Sequence, residues 1–247
     1  MTTDANPIHP ADLPAESAAT LEYEARRPQA GVNRVWRAIE CALLFISIPL
    51  LLTFSPRGMI NPILVLAAAT IGTGVFLAFD KSFDRSVLTR MTGLGRQLLR
   101  GVLPVYLLGW LTLWGAMLLI DSSRPFAFPR QRPDVWVMVM LLYPIFSVLP
   151  QTLIYRVFFF HRYASLFRTR TGLIVAATLV FAVGHLMFHS WVAIALTLAG
   201  GLLFSIRYAT TRSAPLSAIE HALFGQMAFT LGYGMFLYHG SVRVAGG

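Results

Sequence analysis

The sequence has little charge and almost no cysteine. Only 13% of its 247 residues are charged, whereas soluble domains carry about 25%. This shortage argues against an ordinary soluble domain. The single cysteine, Cys41, excludes an intrachain disulfide and a cysteine-based metal cluster. The first thirty-odd residues hold no long apolar run, so we expect no cleaved signal peptide.

Apolar residues dominate instead, at 56% of the chain, with a mean hydropathy of +0.63. They occur in runs of roughly 20 residues, the length that crosses a bilayer as a helix. The sequence therefore predicts an all-α, polytopic transmembrane helical bundle of about seven spans. We expect a disordered tail at 1–33, transmembrane helices with a basic surface segment (80–100) within 34–134, and a catalytic or binding core at 135–240.

The net charge of +9 follows the predicted membrane topology. With a cytoplasmic N-terminus, most of the basic residues fall on the cytoplasmic side, as the positive-inside rule requires. We therefore expect membrane lipids and a membrane protein or peptide as partners, and no nucleic acid. The expected location is a multi-pass position in a bacterial inner membrane.

The region 150–162 places polar side chains in an otherwise apolar helix. Its Arg156 carries a permanent charge, which costs about 3 kcal/mol or more in hydrocarbon and therefore has to face protein or water. Residues three and four apart are neighbours on a helix, so Thr152 and Arg156 share one face. Gln151 adds a second polar group beside them.

Two later segments supply ionisable groups that could meet this face. His185 is expected in the middle of the fifth helix, and Glu220 and His221 lie in the last one. Each has a simpler interpretation: His185 could tie two helices together, and Glu220 could complete a capping box with Ser217. Glu220 could also form a structural ion pair with Arg156, or it could polarise a water for hydrolysis.

Taken together, these motifs resemble those of the CPBP (Abi) family of intramembrane endopeptidases, relatives of the type II CAAX prenyl protease. The similarity rests on the Arg-ended motif at Arg156, the aromatic run and His-Arg-Tyr at 158–163, Phe181-x-x-x-His185, and His221 in the last helix. It covers about four helices, whereas the first three match only as generic spans.

The resemblance implies that a motif glutamate activates water, while histidines and a later asparagine bind the water or stabilise the oxyanion. A glutamic and a metal-assisted mechanism both fit this pattern, and His185 and His221 are the candidate ligands for a divalent metal such as zinc. In this sequence Gln151 and Thr152 stand at the two glutamate positions, and Gly225 stands at the asparagine position. Neither replacement in the first motif can act as a general base near neutral pH.

Three functional hypotheses follow from these residues. The chain is an intramembrane endopeptidase, impaired or using Glu220 in place of the missing carboxylate. Alternatively, it is an inactive homologue that binds transmembrane or lipidated segments. A small ion or solute transporter is the third hypothesis, although no internal repeat supports it. The candidate catalytic residues are His185, His221, Glu220, Arg156, Thr152 and Gln151.

Overall fold

The computed structural model of the protein describes residues 34–56 and 59–237, and all regular structure in these ranges is helical. The predicted tail at 1–33 and the last residues of the predicted core, 238–240, lie outside the described residues. The long helices are α1 (Arg34–Phe54), α2 (Pro62–Phe79), α3 (Leu94–Ile120), α4 (Pro133–Leu166), α5 (Arg170–Val183), α6 (Trp191–Thr211) and α7 (Ala214–Thr230). The prediction of an all-α bundle is confirmed.

Six of the described helical segments are long and apolar enough to cross a membrane, namely α1 to α4, α6, and α5 together with the turn that follows it. The last long helix, α7, has 17 residues and is not one of the six. Large apolar side chains point outward from the bundle, including Leu119 at 91% and Phe79 at 83% exposure. Such a surface suits lipid, so the chain is an integral membrane protein. Seven spans and a cytoplasmic N-terminus stay predictions.

Three wide π-helical turns in the long helices have proline as their common cause. A proline lacks an N–H, and its ring collides with the carbonyl four residues earlier, which a wider turn at that carbonyl relieves. The turns are Leu43–Ser47 before Pro49, Leu98–Val102 before Pro104, and Pro144–Val148 before Pro150. Helix α4 therefore continues through Pro150, and it also contains Pro144 without interruption.

A further π-helical turn in α4, Leu153–Phe158, has no proline in the following turn. It contains Arg156, the only charged side chain in that turn. Turns of this kind inside α-helices occur frequently at functional sites, because the extra residue redirects side chains. The local geometry thus marks the same position that the sequence pattern selects.

Side-chain hydroxyl groups cap the N-termini of the last three long helices. Thr169, Ser190 and Ser213 each accept a hydrogen bond from a backbone N–H of the first turn of α5, α6 and α7. The hydroxyl of Ser217 instead donates to the Phe204 carbonyl at 3.1 Å. The capping-box interpretation of Glu220 is therefore wrong, since the helix starts one turn earlier, at Ser213.

Two apolar clusters hold the bundle together. The larger one surrounds the second half of α4, where Val157 and Phe159 are fully buried against residues of α1, α2 and α5. The smaller one joins α3 to α7 through Met117 and Met227. The second half of α4 is consequently the centre of the molecule, and its side chains can reach several helices at once.

The basic segment at 80–100 does not form one continuous helix. It contains a short 3-10 turn, Arg85–Leu88, whose Val87 is fully buried, and its last residues begin α3. Arg90 pairs with Asp84 at 3.2 Å. The segment is therefore packed against the bundle in part, and its attraction to anionic lipid stays a prediction.

Candidate active site

The guanidinium of Arg156 lies deep inside the bundle, with 2% of the residue exposed. Its central carbon sits 4.5 Å from the centre of the Phe181 ring and 5.8 Å from that of Phe204. Aromatic faces attract a cation, but they accept no conventional hydrogen bond. Within the described ranges, Nε, Nη1 and Nη2 of Arg156 all lack a hydrogen-bond partner. The site therefore contains a buried and uncompensated positive charge.

His185 contacts the Phe181 ring from a position just after the end of α5. The helix ends at Val183, so the predicted mid-helix position of His185 is wrong. Its Nδ1 lies 2.7 Å from the Phe181 carbonyl oxygen, and the two rings are 4.6 Å apart. A carbonyl only accepts hydrogen bonds, so Nδ1 carries the hydrogen and Nε2 of the neutral ring keeps its lone pair. His185 can accordingly accept a proton at Nε2.

His221 approaches from α7 on the other side of the aromatic pair. It is stacked on Phe204, with ring centres 4.5 Å apart and planes inclined by 21°. The Phe181 ring lies 5.6 Å away, edge to face. The three segments selected from the sequence thus meet at one place, where Arg156, His185 and His221 all contact Phe181.

Glu220 faces away from this place. Its two oxygens accept hydrogen bonds from Nε and Nη2 of Arg207, both at 3.1 Å. The predicted pairing of Glu220 with Arg156 is therefore wrong. Consecutive residues on an α-helix point about 100° apart, so with His221 turned towards Arg156, Glu220 is turned towards α6 and Arg207.

The two residues at the glutamate positions of the first motif are neutral. Gln151 donates from Nε2 to the Ser147 hydroxyl at 2.8 Å, and Thr152 is buried. Neither an amide nor an alcohol takes up a proton near neutral pH. Every carboxylate in the described ranges also pairs with another residue, namely Glu40 with Arg162, Asp80 with His161, Asp84 with Arg90, Asp121 with Arg124, Asp134 with Arg132 and Glu220 with Arg207.

Two tyrosines that the sequence analysis did not select pack tightly beside the site. The Tyr143 ring occupies the space that a Cβ on Gly225 would need, and it lies edge to face with His221 at 6.3 Å. The Tyr155 hydroxyl occupies the equivalent space at Gly184. The glycine at the asparagine position was the one available signal, because a missing side chain leaves room for another.

The donors at this place do not fit a zinc ion. Zinc sites use at least three protein ligands, drawn from histidine, cysteine and carboxylates. In the part of the chain that the structure describes, no three such residues come together. The two imidazoles instead share their surroundings with a guanidinium, which repels a metal cation. The candidate site is therefore best described as an arginine and two histidines around an aromatic pair.

The His-Arg-Tyr sequence at the end of α4 connects the site-bearing helix to the N-terminal helices. His161 binds Asp80, at the end of α2, at 2.9 Å. Arg162 donates twice to the Glu40 carboxylate of α1, at 2.9 and 2.7 Å, and the Tyr163 hydroxyl donates to the same carboxylate. The first two helices, which resemble no family motif, thus supply the two acids that hold the C-terminal end of α4 in place.

Comparison with known families agrees with this arrangement. Residues 133–227 match the family model described as type II CAAX prenyl endopeptidase, Rce1-like. This region runs from the start of α4 into α7 and contains Arg156, His185 and His221. Over this region the chain is similar to that family of CAAX-type proteases, and the match supports the predicted CPBP assignment. No curated protein matches the chain significantly, and no solved structure does so either.

Proposed function

We propose that the protein is an intramembrane endopeptidase of the CAAX-processing type, acting slowly on membrane-associated peptides or proteins. The observation that carries this proposal is the meeting of Arg156, His185 and His221 at the Phe181 ring. The match of residues 133–227 to a protease family model supports it. We place its action in a bacterial inner membrane, among lipids and membrane-bound substrates.

In this mechanism His185 takes the role of the general base. Its Nε2 accepts a proton from a water whose oxygen forms a bond to the carbonyl carbon of the substrate. Arg156 and His221 donate hydrogen bonds to the resulting oxyanion. The C–N bond then breaks, and His185 returns the proton to the leaving amine. The nearby guanidinium disfavours a second positive charge on the imidazole, so we expect a slow reaction.

Glu220 takes no part in this scheme. Its carboxylate is held by Arg207 on the side of α7 away from Phe181. Gln151 and Thr152 stand at the two glutamate positions of the first motif. Both side chains are neutral, so they supply no base. The separation of Glu220 from Arg156 also weakens the transporter hypothesis, which required both charges on a single path.

Cleavage of a quenched membrane peptide in liposomes tests the proposal. The wild type should cleave slowly, and His185→Ala should abolish cleavage. Thr152→Glu restores a carboxylate four residues before Arg156 and should raise the rate by about 10²- to 10⁴-fold, the usual contribution of general-base catalysis. Thr152→Gln, of similar size but uncharged, should cleave at the wild-type rate. Cleavage by His185→Ala at the wild-type rate would contradict the proposed mechanism.

A second candidate function, an inactive homologue that binds transmembrane or lipidated segments, has one observation in its favour. Within the described residues, no carboxylate lies beside Arg156, because all six pair elsewhere. If the wild type cleaves nothing while Thr152→Glu cleaves, the scaffold has lost its base and binding is the function that remains. Photo-crosslinking of the wild type to the same peptides then identifies the bound segment.

A further inference from the structure

The described residues provide neither a hydrogen-bond acceptor nor a negative charge for the guanidinium of Arg156. Arginine keeps its charge under all ordinary conditions, and a buried charge without a partner is strongly unfavourable. All three guanidinium nitrogens lack a hydrogen-bond acceptor, although the residue is 98% buried. The six carboxylates of the described ranges are all paired with other cations. An anion from outside the described residues is the partner that would remove this imbalance.

The surroundings of Arg156 define the chemistry of that anion. A planar guanidinium binds a carboxylate through two parallel hydrogen bonds along its edge. Phe181 and Phe204 lie within 6 Å of its central carbon and form apolar walls. The imidazoles of His185 and His221 border the same walls and add hydrogen-bonding groups. These features suit one carboxylate at the end of an apolar chain.

We propose that Arg156 is the receptor for the carboxylate of a membrane-embedded fatty acid. The residue four positions earlier gives the physical reason. A glutamate at that position could neutralise Arg156 within the helix, whereas Thr152 leaves the guanidinium available. The proposal concerns the same site as the proposed function but does not require hydrolysis. The bound carboxylate and the oxyanion of the reaction would occupy Arg156 in turn, so the fatty acid would compete with the substrate.

Photo-crosslinking of purified protein in an uncharged detergent tests the proposal. The probes are a twelve-carbon diazirine carboxylate and its primary amide, which share the same chain and differ in charge. The wild type should bind the carboxylate about ten- to a hundredfold more tightly than the amide, as expected for charge-assisted hydrogen bonds. Arg156→Gln should bind the two probes equally.

A matched pair of variants separates charge from shape. Thr152→Glu supplies an internal carboxylate and should lose the preference for the acid probe, whereas Thr152→Gln should keep it. Both variants leave Arg156 in place, so they test the proposal even if Arg156→Gln does not fold. Equal binding of acid and amide by the wild type would overturn the proposal. So would an unchanged preference in Thr152→Glu.

Competition then assigns the source of the carboxylate. Laurate and an apolar heptapeptide with a free C-terminus are titrated against the crosslinking probe, with lauramide and the C-terminally amidated peptide as controls. Displacement by laurate at the lower concentration supports a fatty acid, and displacement by the peptide at the lower concentration would overturn it. These readouts measure binding alone, so a failure of the cleavage assay leaves them intact. Conversely, cleavage with no preference for the acid would overturn only the carboxylate proposal.

Discussion

The Glu220 carboxylate and the Arg207 guanidinium form a two-fold hydrogen-bonded ion pair between α7 and α6, with both N–O distances at 3.1 Å. Glu220 is 1% exposed, and the Arg207 side chain is 14% exposed. Arg207 also reaches Gln97 of α3 at 3.4 Å. This pair connects three helices and removes from the active site the one acid that lies next to a site histidine in the sequence.

Replacing Glu220 by Gln should therefore lower stability. Removing one partner of a buried ion pair leaves the other charge uncompensated, which costs about 3 kcal/mol or more. Thermal unfolding in detergent measures the loss. The double variant Glu220→Leu/Arg207→Met removes both charges and should recover most of the stability. A Glu220→Gln protein with wild-type stability that cleaves nothing would instead return this acid to a catalytic role.

The link between α1 and the end of α4 depends on Glu40. Its carboxylate accepts two hydrogen bonds from Arg162 and one from Tyr163. Glu40→Gln should destabilise the protein by about 2 kcal/mol, because a hydrogen-bonded charge pair is lost. Tyr163→Phe removes one hydrogen bond and should cost about 1 kcal/mol. Denaturant unfolding distinguishes the two, and equal losses would show that the Arg162 pair contributes nothing.

The contact between Asp80 and His161 makes the free energy of unfolding depend on pH in the acidic range. Partial burial alone would raise the pKa of the Asp80 carboxyl, but hydrogen bonds from Ser82 and His161 outweigh it and lower the pKa to about 2. The charged form is thus favoured in the folded protein. Its stabilisation is complete above the ordinary pKa of 3.8 and disappears as the pH falls towards 2.

Asp80→Asn is the variant that tests this pH dependence. The difference in unfolding free energy between wild type and variant should shrink by on the order of 1 kcal/mol between pH 5 and pH 2, allowing for solvent screening. Other acids titrate in the same range, so the difference between the two proteins is the quantity to follow. A difference that stays constant across this range would contradict the assignment.

Tyr143 fills the space next to Gly225. A Cβ at Gly225 would overlap the Tyr143 ring, so Gly225→Ala should destabilise the protein by about 2 kcal/mol through overpacking. Tyr143→Leu in the same protein should relieve most of this cost. Gly115 is the matched control, since a Cβ there meets nothing within 4 Å. Gly115→Ala should leave the thermal unfolding temperature unchanged or raise it.

The membrane-spanning class could be read from the sequence because hydropathy is a local property. A run of about 20 apolar residues places a helix in lipid whatever its neighbours are. The family motifs were equally local, and Arg156, His185 and His221 were selected before any geometry was known. The convergence of these three segments is therefore the part of the site that the sequence predicted best.

The remaining details depend on how helices rotate and pack against one another. A turn of about 100° per residue separates Glu220 from His221, and only the position of α6 decides that Arg207 receives the carboxylate. The same holds for Tyr143, whose ring reaches Gly225 across 82 residues of chain. The sequence by itself determined the helices able to cross a membrane, the similarity to the protease family and the charged residues inside the bundle. Tertiary structure alone decided which charges are paired and that Arg156 is not, because ion pairing requires contact within about 4 Å, and such contacts are set by helices far apart in the chain.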